Sequence, residues 1–415
     1  MELVLKVVFV LCVAGFVVGQ NEINNVHHGS MKRRSQSFKE YIRRLRQFSS
    51  DMYTQLSEEK PRQNLIFSPY SIESALMMTI LGAKGNTWKQ LRAGMRMGTD
   101  RQLRNNTRHF RSTMERLPDG YFFESANRVF YQNSSTISAK YLSLTEDVIG
   151  AFPQAVDFKA PDVARDTINR WVEKKTKNKI KDLISDGVLD ELVRMVLVNA
   201  VYFKADWKTK FDAQMTKEKR FFSHDDEQVV DMMDVTSKFK YKEDEECNYK
   251  AVEMEYKGGS MSMVLVLPMH RTNQQQFQAF EECLQRNIET VTKQMVEWNV
   301  NISLPKFKLT QHFDLKEPLK RMSIVDLFIP GKANLTGIDP TGDLYVSDAL
   351  HKVFIEVNEE GSEAAAATAM VSRGRSAFGD PVLQFVADHP FMFFIKHKVG
   401  GVIFMGRVMN PSANP

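Results

Sequence analysis

Glu359-Glu360-Gly361-Ser362-Glu363-Ala364-Ala365-Ala366-Ala367-Thr368-Ala369, running on to Arg373-Gly374-Arg375-Ser376, decides how this chain is read. Alanine has the best intrinsic helix propensity, so the alanine run taken alone reads as a helix. The residues before it read differently. His351-Lys352-Val353-Phe354-Ile355-Glu356-Val357 alternates and is β-branched, the pattern of a strand. That strand passes into Glu-Glu-Gly, a joint that glycine leaves free to bend. A small-residue segment hinged to a strand forms an exposed loop, and it also fits into a sheet, because no bulky side chain blocks it. No proline lies between Glu359 and Ser376, so every backbone N–H is available to a ladder. Ser372 to Gly379 is polar and glycine-punctuated, and it builds no packed element by itself. The bond after Arg375 is one that a trypsin-like protease cuts.

The chain has 415 residues and a hydrophobic fraction of 43%, ordinary for a globular protein. Met1 to Gly19 carries one early lysine, Lys6, then an apolar core from Val7 to Val18 and small residues before Gln20. That is the pattern of a secretory signal peptide cleaved after Gly19. The apolar run is short for a membrane span, and no second long one follows. The mature protein is therefore expected to be soluble and extracellular. Cys12 leaves with the signal, so Cys247 and Cys283 remain. They are either paired or two free buried thiols; pairing needs Cα atoms within about 7 Å. Sequons at Asn105, Asn133, Asn301 and Asn334 suit a secreted glycoprotein. The net charge of +5 is modest, and its distribution matters more than its sum.

Residues 20–37 are polar, include Lys32-Arg33-Arg34, and read as a mobile tail before one domain over 38–411. Phe38, Ile42, Leu45, Phe48, Met52 and Leu56 recur at helical spacing. Asn64 to Ser71 reads as a short strand turning into a helix, with Ser68 as cap and Pro69 at the first helical position. Ser74 to Leu81 reads as a buried helix. In a helix over 101–117, Leu103, Phe110, Met114 and Leu117 share one side, while Arg101, Arg104, Arg108 and Arg111 share another. Phe122–Tyr131, Met261–Leu267 and Val300–Leu304 read as strands. Val193–Phe203 is a nearly continuous apolar run, suited to a strand buried on both faces. Val163–Ile184 reads as a surface helix with Ile168, Trp171, Val172, Ile180 and Leu183 inward; further helical stretches fall near 274–292 and 315–322. With no internal repeat and no linker, the pattern favours a single large α+β domain.

Several of these stretches together resemble one family. Asn64 to Ser71, Asn169-Arg170-Trp171-Val172 with Thr176 and Ile180, and Leu197-Val198-Asn199-Ala200-Val201-Tyr202-Phe203-Lys204 with Trp207 are similar to serpin signatures. So are Leu304-Pro305-Lys306-Phe307, the segment Glu359–Ala369 and Phe385-Val386-Ala387-Asp388-His389-Pro390-Phe391. They stand in the family's order and span nearly all of 38–411. The resemblance implies the serpin fold: three β-sheets, about nine helices and an exposed reactive-centre loop, here 359–380. It implies a suicide-substrate inhibitor of serine proteases rather than an enzyme, each molecule being consumed by one protease. Family register puts the reactive bond fourteen residues after Gly361, at Arg375–Ser376. The hinge is Glu359, Glu360, Gly361, Ser362, Glu363 and Ala364, Ala365, Ala366, Ala367. Ser68, Ser71, Asn199 and His351 match positions that control opening of the main sheet, and Trp207 one where the loop enters.

Arg375 suits a specificity pocket that ends in a carboxylate. Arg373 lies two residues out of register, and Met370-Val371 would suit an elastase-like enzyme instead. The arginines at 101, 104, 108 and 111, with Arg116 and with Lys32, Arg33 and Arg34, resemble the helix of heparin-activated serpins. A heparin-like glycosaminoglycan is therefore an expected activator, and no other cofactor is implied. The sequence lacks a Gly-x-Ser-x-Gly elbow, a His-Glu-x-x-His zinc site and a phosphate-cradling glycine loop. The expected partner is a trypsin-like protease in a covalent complex, with no nucleic acid and no membrane; the inhibitor itself is expected to be a monomer. The likeness to invertebrate extracellular serpins suggests a proteolytic cascade of innate immunity, of the Toll or melanisation type. The alternative is a non-inhibitory serpin, a carrier, storage protein or chaperone, but such members have bulky, charged or proline residues in the hinge.

Overall fold

The structure is a computed structural model and describes residues 35–98, 100–362, 381–399 and 401–413. The stripe that starts at Phe38 forms the inner face of helix α1, residues 35–59, with Ile42, Leu45, Phe48, Met52 and Leu56 buried. Residues 35–37 thus belong to this helix and not to a tail. The signal segment and Lys32, Arg33 and Arg34 lie outside the described residues.

The chain continues through β1 (Leu65–Phe67), α2 (Pro69–Ile80), α3 (Gly85–Gly94), α4 (Asp100–Met114) and β2 (Tyr121–Gln132). Next come α5 (Ala139–Ile149), β3 (Gln154–Val156), α6 (Pro161–Lys175), β4 (Met195–Asp206), β5 (Lys217–Phe222) and β6 (Glu227–Asp244). Then follow β7 (Tyr249–Glu255), β8 (Met261–Pro268), α7 (Gln274–Asn287), β9 (Val296–Pro305), β10 (Phe307–Asp314) and α8 (Lys316–Arg321). The last strands are β11 (Asp348–Val357), β12 (Gly361–Ser362), β13 (Leu383–Val386), β14 (Phe391–His397) and β15 (Val402–Val408).

The described strands form two hydrogen-bonded sheets where three were expected. One runs β10-β11-β4-β2-β3, with β12 also on β4; the other runs β1-β15-β14-β8-β7-β6-β9-β13, with β5 on β6. The merging is the work of β6. Its first part pairs with β5 and its last with β7, so one long strand joins what would otherwise be separate ladders.

Strand β4 positions everything that follows. Its odd-numbered side chains, Met195, Leu197, Val201, Phe203 and Ala205, enter the main core between the sheets. Its even-numbered ones, Val196, Val198, Ala200 and Tyr202, enter a second core with Ile168, Val172, Ile180 and Leu183 beneath α6. The period-two alternation of a strand thus meets apolar partners on both faces, as its unbroken apolar run requires. Helix α6 stops at Lys175, short of the expected Ile184, because Lys177 and Asn178 take positive φ of 50° and 60° and turn the chain back. Trp171 is half-buried there, with the Arg128 guanidinium 4.3 Å over its ring.

Cys247 and Cys283 are joined in a disulfide, their Cα atoms 5.7 Å apart, which resolves the open alternative. The bond ties α7 to the turn between β6 and β7. On the same helix, Glu281 accepts two hydrogen bonds from Arg407 of β15, at 2.7 and 3.0 Å, in a buried pair. Replacing both cysteines by serine opens a covalent loop of 36 residues, for which a loss of about 3 kcal/mol is expected. The measurement is the denaturant midpoint of the oxidised protein against the double variant. An unshifted midpoint would mean that the bond constrains nothing.

Candidate functional site

The site is a seam. β11 and β4 pair in parallel from Asp348↔Val196 to Phe354↔Tyr202. Above that point they part, and β4 pairs instead with β12, antiparallel, at Ala205↔Ser362 and Asp206↔Gly361. Gly361 and Ser362 of the hinge therefore already occupy the top of the gap between the strands.

Four of the polar residues expected to control the sheet converge on the closed part of the seam. His351 of β11 sits beside Asn199 of β4, and Asn199 beside Asn127 of β2, in one row across three strands. The His351 Nε2 accepts the Ser68 backbone N–H at 3.1 Å, so the ring proton is on Nδ1, where it is donated to the Asn199 side-chain carbonyl. Asn199 Nδ2 donates to Ser71 Oγ at 2.5 Å and to Asn127 Oδ1. Ser68 is the N-cap of α2: its Oγ accepts the Ser71 N–H at 3.2 Å and donates to the Ile403 carbonyl at 2.7 Å. Ser71 Oγ also lies 3.0 Å from Ser125 Oγ. Asn127 and Ser125 complete the cluster, and sequence reasoning missed them. The signal was there: both belong to the strand read at 122–131, two residues apart and so on one face. Burial holds His351 at about 3, well below the ordinary imidazole range, so it is neutral. A row of hydroxyls, amides and a neutral ring can exchange hydrogen-bond partners as strands part, which an apolar plug cannot.

The upper end is organised by Trp207, fully buried and stacked on Tyr256 with centroids 4.5 Å apart and planes 7° from parallel. Its Nε1 donates to the Asn358 carbonyl at 3.0 Å and its backbone N–H to the Glu360 carbonyl at 2.8 Å. Phe211 N–H donates to the Glu359 carbonyl at 3.1 Å. The two hinge carboxylates are clamped as well. Glu359 accepts from Thr216 Oγ1 at 2.8 Å and faces Lys306 Nζ at 3.3 Å, while Glu360 pairs with Lys210. Burial alone would raise the Glu359 carboxyl. The backbone and Thr216 hydrogen bonds and the Lys306 charge outweigh it and hold the group below its usual range. Gly361 is required where it stands. A Cβ there would meet the Ala205 carbonyl oxygen at 2.0 Å. Ser362 is fully buried, its Oγ 3.1 Å from the Tyr256 hydroxyl. Glu363, Ala364, Ala365, Ala366, Ala367, Arg375 and Ser376 lie outside the described residues.

The basic face of α4 is less free than its spacing suggested. Arg108 is paired with Asp147 of α5 and donates to Asn105 Oδ1 at 3.1 Å. Arg111 donates to the Glu146 carbonyl at 3.1 Å and lies 3.5 Å from Glu115. Arg101 and Arg104 make no ion pair among the described residues, and Arg116 stands beyond the end of the helix. Of the sequons, Asn105 and Asn133 are exposed. Asn301 lies mid-strand in β9, donating to Gln384 at 3.0 Å, and Asn334 holds Thr336 at 2.8 Å; both are half-buried. Among the described residues no cluster of His, Cys, Asp or Glu could hold a metal ion, and no helix is long and apolar enough to cross a membrane.

The sequence model of the serpin (serine protease inhibitor) family matches residues 43–411. The chain belongs to the serpin family. It is 36% identical over 378 residues to the leukocyte elastase inhibitor of Sus scrofa, covering 88% of this chain and 97% of that one. Antithrombin-III of Mus musculus is 38% identical over 381 residues, covering 88% of this chain and 81% of that protein. Among solved structures, Serpin48, a highly specific serpin of the insect Tenebrio molitor, superposes with a TM-score of 0.81 at 29% identity, over 90% of this chain and 98% of that one. This serpin is thus a member of a protease-inhibitor family and not of an enzyme family.

The neutral, buried His351 gives the seam a pH dependence. Its folded pKa, about 3, lies below the ordinary 6.5, so the unfolded chain binds the proton first. The native form keeps this contribution above pH 6.5 and loses it as pH falls toward 3, by up to about 1.4 kcal/mol per pH unit. His351→Gln is expected to flatten the fall in stability between pH 6.5 and 5 relative to the parent, measured by denaturant unfolding at each pH. Parallel curves for the two proteins would place the ring outside the balance.

Proposed function

We propose that this serpin is a single-use inhibitor of trypsin-like, arginine-specific serine proteases, secreted to control an extracellular proteolytic cascade of the innate-immune type. The observation that carries the reading is the register at the top of the seam. Ser362 opposite Ala205, continued down β4, sets Ala364 opposite Phe203, Ala366 opposite Val201 and Thr368 opposite Asn199. Residues two apart share a face, so these side chains would enter the main core on the face that Ser362 already occupies. Each is small, and Thr368 would bring a hydroxyl to the polar row. Glu363, Ala365 and Ala367 would face the other way, toward Lys204, Tyr202 and Ala200 and the layer under α6.

The chemistry follows from that geometry. The protease serine oxygen attacks the Arg375 carbonyl carbon, the peptide bond to Ser376 breaks, and the amine leaves on Ser376 while an ester holds Arg375 to the enzyme. Freed at its end, the segment enters the seam. One ladder is lost there and two are gained, each hydrogen bond worth about 1 kcal/mol net. Fourteen residues from Gly361 to Arg375, at roughly 3.3 Å each, carry the acyl-enzyme about 46 Å along the sheet. A displacement of about 1 Å at the catalytic centre already costs about a hundredfold in rate, so deacylation fails. A non-inhibitory role fits poorly with a hinge free of proline and bulk. The glycosaminoglycan reading rests on Arg101, Arg104 and the residues before α1, since Arg108 and Arg111 are engaged by α5 and by Glu115.

Incubation with trypsin is expected to give an SDS-stable complex of one protease per inhibitor, absent in Arg375→Ala. An elastase arm tests the Met370-Val371 alternative, which the names of the mammalian relatives make worth including. Ala366→Arg, on the face that enters the core, is expected to yield cleaved inhibitor and free trypsin, whereas Ala365→Arg retains more of the complex. Cleavage without complex in the parent protein would overturn the inhibitory reading. Heparin that leaves the inhibition rate flat would remove the glycosaminoglycan from it.

A further inference from the structure

A second site lies off the arginine face of α4. A cavity of about 220 Å³ is lined by His109, Ser112, Thr113, Arg116, Ser260, His397 and Lys398, drawn from α4 and the turn after it, the start of β8 and the end of β14. Its chemistry is one-sided. Two full cations, three hydroxyls and two imidazoles line it, and no carboxylate does. Arg116 and Lys398 are exposed and form no ion pair among the described residues, unlike Arg108 and Arg111 one or two turns earlier. His397 is a buried member, 2% exposed. Its Nδ1 accepts the Val399 N–H at 3.3 Å, which puts the ring proton on Nε2, and Nε2 has no hydrogen-bond partner among the described residues. Burial lowers this ring to about 4, so at neutral pH it offers an N–H rather than a charge.

Unpaired donors around one hollow, with the positive field uncompensated, match a compact tetrahedral anion. We infer that this cavity binds a sulfate or phosphate monoester group, held by Arg116 and Lys398 and by N–H and O–H donors from His109, His397, Ser112 and Ser260; the Thr113 hydroxyl is already donated to the His109 carbonyl at 2.9 Å. At 100° per residue, His109 and Thr113 lie about 80° or more around α4 from Arg101, Arg104, Arg108 and Arg111, while Ser112 borders that stripe. The site therefore adjoins the edge of the arginine stripe and opens away from it, and it does not depend on how the hinge works. The volume admits such a group together with a few waters, each of which takes roughly 30 Å³ in the liquid.

The test uses the full chain with ¹⁵N-labelled histidine at pH 7.4 and constant ionic strength, titrated with sodium sulfate and, separately, sodium phosphate against a sodium chloride blank. Saturable movement of the His109 and His397 ring resonances is expected with at least one of the two anions. In the double variant Arg116→Ala with Lys398→Ala, half-saturation rises by at least about tenfold. In Arg104→Ala with Arg108→Ala it stays within about twofold. Tighter binding of sulfate assigns the site to sulfate esters, and tighter binding of phosphate to phosphate monoesters; either supports it. Thermal melting shows whether the variants are folded, and the trypsin complex formed by each shows whether inhibition is separate. Movement that is linear in salt and equal to the chloride blank overturns the proposal. So does movement that the Arg116/Lys398 variant leaves unchanged.

Discussion

The parallel pairing of β4 with β11 is the constraint on which the rest of this serpin depends. It joins two strands far apart in sequence, and it runs only from Asp348 to Phe354. Below Phe354 it is closed by backbone bonds and by the row Asn127-Asn199-His351. Above, the chain has already set Gly361 and Ser362 into the gap. Two residues are thus paired at the upper end of the seam, directly above the closed ladder. The proposed insertion would exchange one parallel interface for two antiparallel ones, and the polar row lies in its path. Its members are neutral and share partners, so they can be re-satisfied by a new neighbour instead of being stranded without one.

The two faces of β4 give the seam its second constraint. A strand that enters beside it must suit the main core on one side and the layer beneath α6 on the other. That layer is fastened on both sides of the seam. Trp171 of α6 rests on Arg128 and Phe130 of β2, while Lys352 of β11 donates to the Lys181 carbonyl at 2.7 Å in the segment after α6. One covering segment thus grips strands on either side of the ladder that must open. Under the insertion proposed above, the hydrogen-bonded row inside the sheet and the strap outside it would together hold the closed form, as kinetic trapping requires.

Much of this was legible in the residues. Ser68-Pro69 marked the cap and first turn of α2, the apolar run at 193–203 marked a doubly buried strand, and the spacing in 101–117 separated a packed side of α4 from a basic one. Other features depend on contacts that no local pattern records. α6 ends at two ordinary residues, Lys177 and Asn178, that take left-handed backbone without glycine to announce it. The disulfide depends on α7 folding back on the β6–β7 turn. The arginine face was read as free because Asp147 and Glu146 come from a different helix, α5. Asn127 and Ser125 were hidden by an apolar strand pattern in which their polarity looked incidental.

The hinge divides its duties by residue type, and the division follows from charge and size. Glu359 and Glu360 are large and polar, and each is met by a lysine of a different loop, Lys306 and Lys210. They fix the point from which the segment swings. Gly361 then passes against the β4 backbone where any side chain would collide with Ala205. After it, Glu363 apart, come serine, alanines and a threonine, side chains small enough to suit either layer. An anchor of charge, a pivot without a side chain and a runner of alanines are each poor choices for the other two positions. A lysine-clamped carboxylate in the runner would have to shed its partner and enter an apolar layer, at a cost of several kcal/mol. An alanine at either anchor position would take a carboxylate partner from Lys306 or Lys210. The proposed insertion would therefore depend on the order of these three elements more than on the alanine content alone, since only that order gives a fixed end and a segment that fits both layers.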